Sequence, residues 1–281
     1  MISADGESRL AVAVDGRYAV VDPQRGPATV GDLVRGGAAA RAELEEQLLE
    51  GQFDLIELDA SHGVAPCVPE PSKIICVRLN YRSHAEQAGM EIPRRPGVLL
   101  KLPSTLLASG LSMACRDVAR EYDYEGELAV VIGRRAVDVP VDSALKHVWG
   151  YCNVNDIHAR DLHPFHFGKN LAGSLPVGPD LVSADEVGDP SDLSIRTWLN
   201  GEVRQDSRTS DMVFGVAALV SWVSRYVPLE VGDLIATGTP AGAIVHRDER
   251  IWMQPGDVVE VEIEGLGRLR TPLVAETERT L

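Results

Sequence analysis

The chain has 281 residues, 44% of them hydrophobic, and a formal net charge of −15. That size and apolar content suit one large domain, or a small one joined to a larger one, with a sizeable buried core. The acidic balance, with no basic patch to offset it, excludes a nucleic-acid partner, and no apolar run approaches the roughly 20 residues of a membrane span. The opening residues, MISADGESRLAVAVDG, lack the basic and apolar regions of a signal peptide, so a cytoplasmic protein is expected. Cys67, Cys76, Cys115 and Cys152 show no CxxC spacing, and three sit in or beside apolar runs; they read as buried free thiols.

In chain order, LAVAVDGRYAVVDP predicts a hairpin turning at Asp15-Gly16. VGDLVRGGAAARAELEEQLLEGQ, rich in Ala, Leu and Glu, predicts a helix, and the prolines of APCVPEPSK predict an extended connection. Residues 1–70 therefore read as a small α+β N-terminal domain and 71–281 as a larger second domain. In the latter, KIICVRL, GVLLKL, ELAVVIG, LSIRTWLNG, DLIATG, DVVEVEIEG and GRLRTPLV are strand-like runs punctuated by Gly, Pro and Asp. Two helical patterns interrupt them: SALKHVWGYC, with apolar residues at helical spacing, and MVFGVAALVSWVSRY, apolar on most faces and hence buried. Many strands with few helices between them argue against a doubly wound parallel sheet. The expected fold class is α+β, mainly β: a largely antiparallel sandwich, roll or barrel with attached helices.

One strand carries an anomaly. In EYDYEGELAVVIG the acids Glu121, Asp123, Glu125 and Glu127 alternate, so all four point to one face about 6.6 Å apart. Gathered carboxylates repel each other and lose hydration on burial unless a cation compensates, either Lys or Arg or a hard divalent metal. Further on, WGYCNVNDIHARDLHPFHFGKN concentrates Asp156, His158, Arg160, Asp161, His163, His166 and Lys169 on a predicted loop. Glu125, Glu127 and Asp156 together would suit Mg²⁺ or Mn²⁺, with water or substrate oxygens completing an octahedron.

These residues belong to a series of motifs that resembles the fumarylacetoacetate hydrolase family. In order they are IICVRLNYRSHAEQ, LLKLPS, DYEGELAVVIG, GYCNVNDIHARD, GKN followed by PVGP, LNGEVRQDSRTSDMVF, PLEVGDLIATGTPAG and QPGDVVEVEIEGLG, spanning roughly three quarters of the chain. The resemblance implies a mixed β-sandwich roll with a small N-terminal domain, and a homodimer. It implies Glu125, Glu127 and Asp156 as metal ligands, Lys169 as the active-site lysine and Arg160 beside the substrate. Thr239 would bind a substrate carboxylate, and Tyr81 and His84 would open a lid whose histidine is a general base. The partner implied is a small 2-oxo or 1,3-diketo acid, which chelates the ion through adjacent oxygens while Lys169 and Arg160 offset its charge.

The chain departs from the family at substrate-facing positions. Hydrolytic members carry Glu three residues after the lid histidine; here it is Gln87, which can orient an imidazole but cannot balance an imidazolium, while Glu86 lies one residue early. His158 replaces the usual Ser, His163 the usual Gln, and Ala172-Gly173-Ser174 the usual Asp-Thr-Phe. The leading expectation is acylpyruvate-type C–C bond hydrolysis, with His84, Gln87 and Lys169 catalytic and Tyr81, Arg160, His163 and Thr239 binding substrate. The alternatives are decarboxylation or keto–enol isomerisation of an oxaloacetate-like or hydroxymuconate-like acid, which need no activated water, or a non-catalytic family member.

Overall fold

The computed structural model describes residues 2–4, 7–57, 63–68 and 70–276. Its centre is a seven-stranded mixed sheet in the spatial order Gly97–Lys101, Ile74–Arg78, Leu234–Ala236, Gly126–Ile132, Val148–Asn155, Leu175–Ser183 and Leu106–Ala108. A second sheet of five strands runs Met113–Cys115, Arg268–Ala275, Val258–Ile263, Ser194–Leu199 and Glu202–Arg208. The strand-dominated expectation holds, although Leu234–Ala236 with Ile74–Arg78 and Leu175–Ser183 with Leu106–Ala108 pair in parallel.

Period-two patterning explains the layers. On Gly126–Ile132, Leu128, Val130 and Ile132 point to one face. There they meet Ile195 and Ile263 of the five-stranded sheet and Val216, Leu219 and Val223 of the buried helix Val216–Ser224. Gly126 shares that face, and a side chain there would collide: a Cβ would stand 2.2 Å from Thr197 Oγ1 and 3.2 Å from Val261 Cγ1. Ala129 and Val131 point the other way, into an apolar cluster that also holds Cys76, Cys152, Leu10, Val21, Val34 and Leu44. That cluster joins residues on both sides of position 70. The N-terminal hairpin forms as expected, Ala11–Val14 pairing with Arg17–Val20, and helix Val30–Leu49 packs beside it with a kink at Gly37.

One predicted helix is corrected. SALKHVWGYC is helical only up to His147; Val148–Asn155 is a strand, hydrogen-bonded on both edges in the sheet interior. Its Val, Trp, Tyr and Cys side chains fit a pleated buried surface, and pairing with two long strands overrides the local helical spacing. All four cysteines are free and buried. No helix among the described residues is long and apolar enough to cross a membrane.

Candidate active site and metal centre

Glu125 and Glu127 enter the sheet at the start of Gly126–Ile132, on the face opposite Gly126, and Asp156 follows the neighbouring strand Val148–Asn155. Gly126 pairs with Asn155, and Asp156 N donates to the Glu125 carbonyl at 2.8 Å, which brings the third acid beside the first two. One carboxylate oxygen from each lies within 4.8 Å of the others, and all three residues are buried. The three could hold a metal ion.

The surrounding charges test that fit. Lys169 Nζ bonds Glu125 Oε2 at 2.8 Å and Asp156 Oδ2 at 2.7 Å. Lys101 Nζ, fully buried, bonds Asp156 Oδ1 at 2.7 Å and the carbonyls of Ile157 and Ser174. Arg160 clamps Asp123 and Glu125 through Nη2 at 2.7 and 2.6 Å. Four carboxylates thus face three cations, and the shortfall falls on Glu127. It accepts from the Gly238 amide, 2.7 Å from Oε2, and no Lys or Arg pairs with it among the described residues. Burial, reinforced by Asp156 and Glu125, pushes the Glu127 carboxyl well above the usual range. For Glu125, burial acts in the same direction but Lys169 and Arg160 outweigh it and hold that carboxyl well below its usual range. An oxygen-rich, buried and under-compensated set of this kind suits a hard divalent cation.

The other sequence-expected residues divide. His84 lies on the short helix Arg82–Gln87, and its Nδ1 is 3.0 Å from the Thr239 carbonyl. A carbonyl only accepts, so Nδ1 carries the proton and Nε2 of the neutral ring is a free base. Gln87 does not reach His84: its Oε1 accepts from Gly242 N at 2.7 Å. The Thr239 hydroxyl donates to the Gly126 carbonyl at 2.9 Å and accepts from Gln205 at 2.8 Å. Tyr81 is wholly buried, and its hydroxyl has no hydrogen-bond partner. His163 is exposed, and no hydrogen bond or ion pair among those described joins it to the acids. Ser174 is buried; its hydroxyl bonds the Lys169 carbonyl, and its carbonyl holds Lys101.

Three further participants are not among the residues expected from the sequence. Lys101 was legible in part, since a lone lysine inside the apolar run GVLLKL needs a buried counter-charge. Asp123 is fully buried; it anchors Arg160 and accepts from Ile244 N and Val245 N. His246 has no sequence signal; the chain fold brings its ring against His84, with centroids 5.1 Å apart.

His158 is nearly buried, its ring edge-to-face on Phe165, and neither nitrogen has a partner. Burial and then the charges of Lys169 and Arg160 push its pKa down to about 2. The folded pKa lies below the unfolded one near 6.5, so His158 binds its proton more tightly in the unfolded chain. Stability is therefore lost as pH falls through 6.5, by about 2 kcal/mol between pH 7 and pH 5 from this residue alone. Urea unfolding at the two pH values should show that loss in the native protein and a loss smaller by this amount in His158→Leu.

Comparison with known proteins shows the family. Residues 73–274 match the family model described as fumarylacetoacetate (FAA) hydrolase C-terminal. Oxaloacetate tautomerase YisK of Bacillus subtilis is 41% identical over 210 residues, covering 72% of this chain and 70% of that protein. The fumarylacetoacetate hydrolase of Exiguobacterium antarcticum superposes with a TM-score of 0.84 at 33% identity, covering 98% of both chains. Maleylpyruvate hydrolase of Sphingobium sp. SYK-6, solved with manganese(II) and pyruvate, superposes with a TM-score of 0.78 at 28% identity, covering 95% of this chain and 96% of that one.

Proposed function

The chain belongs to the fumarylacetoacetate hydrolase family of metal-dependent enzymes, and from that premise we propose that it interconverts the keto and enol forms of an oxaloacetate-like 2-oxo acid. Glu125, Glu127 and Asp156 would hold Mg²⁺ or Mn²⁺, which when bound supplies a Lewis acid for charge developing on the substrate oxygens. Lys169 and Arg160 offset the negative charge of a dicarboxylate entering a site already rich in acids. His84 Nε2 takes the proton from the carbon next to the carbonyl, while its Nδ1–H bond to Thr239 fixes ring and tautomer.

The observation that carries this choice is the place of Gln87. Among the described residues no carboxylate backs His84, and the Gln87 carboxamide is committed to the Gly242 amide. His84 therefore lacks the anion that would stabilise an imidazolium while water attacks. Enolisation needs no activated water, so it survives this departure; acylpyruvate hydrolysis is the step that suffers. The activity named for the Bacillus relative supports the same reading.

The test is a pair of assays on the Mn²⁺-loaded enzyme. Decay of the enol absorbance of oxaloacetate should accelerate with enzyme and return to the uncatalysed rate with EDTA. Pyruvate release from acylpyruvates should be slower by at least about 100-fold, the scale of one missing acid–base group. Hydrolysis outrunning tautomerisation, or tautomerisation indifferent to EDTA, would sink the assignment.

A further inference from the structure

A base that has taken a proton must pass it on before acting again, and His84 is poorly placed to do so alone. It is only 9% exposed, and its Nδ1 is committed to the Thr239 carbonyl. Gln87 offers no basic nitrogen at neutral pH. The ring that touches His84 is His246, at an interplanar angle of 64°. His246 is itself half-buried and lines a cleft of about 710 Å³ with Gln87, Arg204, Arg247 and Ile251. It therefore contacts the buried base on one side and solvent on the other.

Its position is built. His246 ends the short turn Ile244–His246, whose first two amides donate to the Asp123 carboxylate at 2.7 and 3.3 Å. Asp123 is held in turn by Arg160, which also grips Glu125. One carboxylate thus ties the turn bearing His246, through Arg160, to Glu125.

We propose that His246 is a proton-relay residue, carrying protons between His84 and the water of the cleft. This rests on the enolisation reading above. In the balanced step, a C–H bond beside the substrate carbonyl breaks and its proton goes to His84 Nε2. The bond pair becomes the new C–C π bond, and the carbonyl π pair moves onto its oxygen. His84 Nε2–H then yields the proton to a neutral His246 nitrogen, directly or over one water, and His246 releases it to the cleft. The reverse path delivers a proton to carbon, and neither direction needs an oxidant or reductant. Burial, then His84 and Arg160 with Arg250 beyond them, lower the His246 pKa against the opposing pull of Glu125, so the ring is neutral and able to accept. Arg247 and Asp248 follow it in the chain.

The experiment follows exchange of the pyruvate methyl protons in D₂O by proton NMR, using the Mg²⁺-loaded enzyme at low buffer concentration. His246→Asn and His246→Ala should exchange more slowly by on the order of 10²-fold. Added imidazole, small enough for the cleft, should restore the rate of His246→Ala in a saturable way. Oxalate affinity and melting temperature should match the native protein in at least His246→Asn, which keeps a polar planar side chain. Undiminished exchange in His246→Asn would overturn the relay alone. So would exchange that is lost and not recovered by imidazole while oxalate still binds. No exchange by the native enzyme would overturn the enolisation reading and the relay with it.

Discussion

Replacing Lys169 by Met is expected to abolish turnover and to destabilise the metal-free protein by on the order of 3–5 kcal/mol, the cost of removing one partner from a buried ion cluster. The ammonium is 2.7–2.8 Å from carboxylates of both Asp156 and Glu125, at a site that is nearly dry. Methionine fills most of the volume but leaves Glu125 with Arg160 and Asp156 with Lys101 as their remaining cations. A divalent ion restores positive charge at the same place. The melting-temperature gap between native and Lys169→Met protein should therefore narrow when Mn²⁺ is added, although activity does not return. A gap that Mn²⁺ leaves unchanged would show that the lysine stabilises by packing, not by charge.

Replacing Glu127 by Gln should act with the opposite sign. Glu127 is the buried acid without a cation, so its charge is a liability in the metal-free protein and neutralising it should cost nothing or stabilise slightly. The Gln carbonyl can still accept from the Gly238 amide. The loss appears on adding metal. At Mn²⁺ concentrations near 100 times the native dissociation constant, the native protein should gain about 2.7 kcal/mol and Glu127→Gln little of it. Turnover should fall with it, below detection at Mn²⁺ levels that saturate the native enzyme. Thermal shift with and without Mn²⁺ reads both variants in one experiment, and the two sign patterns separate a compensating cation from a metal ligand. A Glu127→Gln protein that kept the Mn²⁺ shift would remove Glu127 from the proposed ligand set.

These two residues also mark how far the sequence could be read. The period-two acids of EYDYEGELAVVIG announced a charged face, because strand geometry makes that inference local. Asp156 stood out by the charges crowded after WGYC, while the role of Lys169 needed the resemblance; a neighbouring strand brings in the first and the short helix Phe165–Lys169 the second, and local spacing carries no signal of either pairing. The WGYC run was misread as helix for a related reason: apolar residues at helical spacing are equally at home in a strand paired on both sides, and only the sheet decides. Gln87 could be recognised as a departure, yet its bond to Gly242 depends on a turn some 155 positions away. The contact between His84 and His246 is likewise a product of the tertiary fold, and no pattern along the chain announces it.

The close approach at Gly126 has a wider consequence. With Thr197 where its side chain would be, the strand presses its bare backbone onto the second sheet, and Glu125 and Glu127 are left to project from the other side. Their separation is thereby set by the framework, while His163 and the 172–174 segment lie on connections outside those strands. A lineage can rewrite such connections, and so its choice of acid, without retuning the seat of the ion. The same framework makes the seat intolerant of drift: a single methyl group at position 126 would reach it from behind.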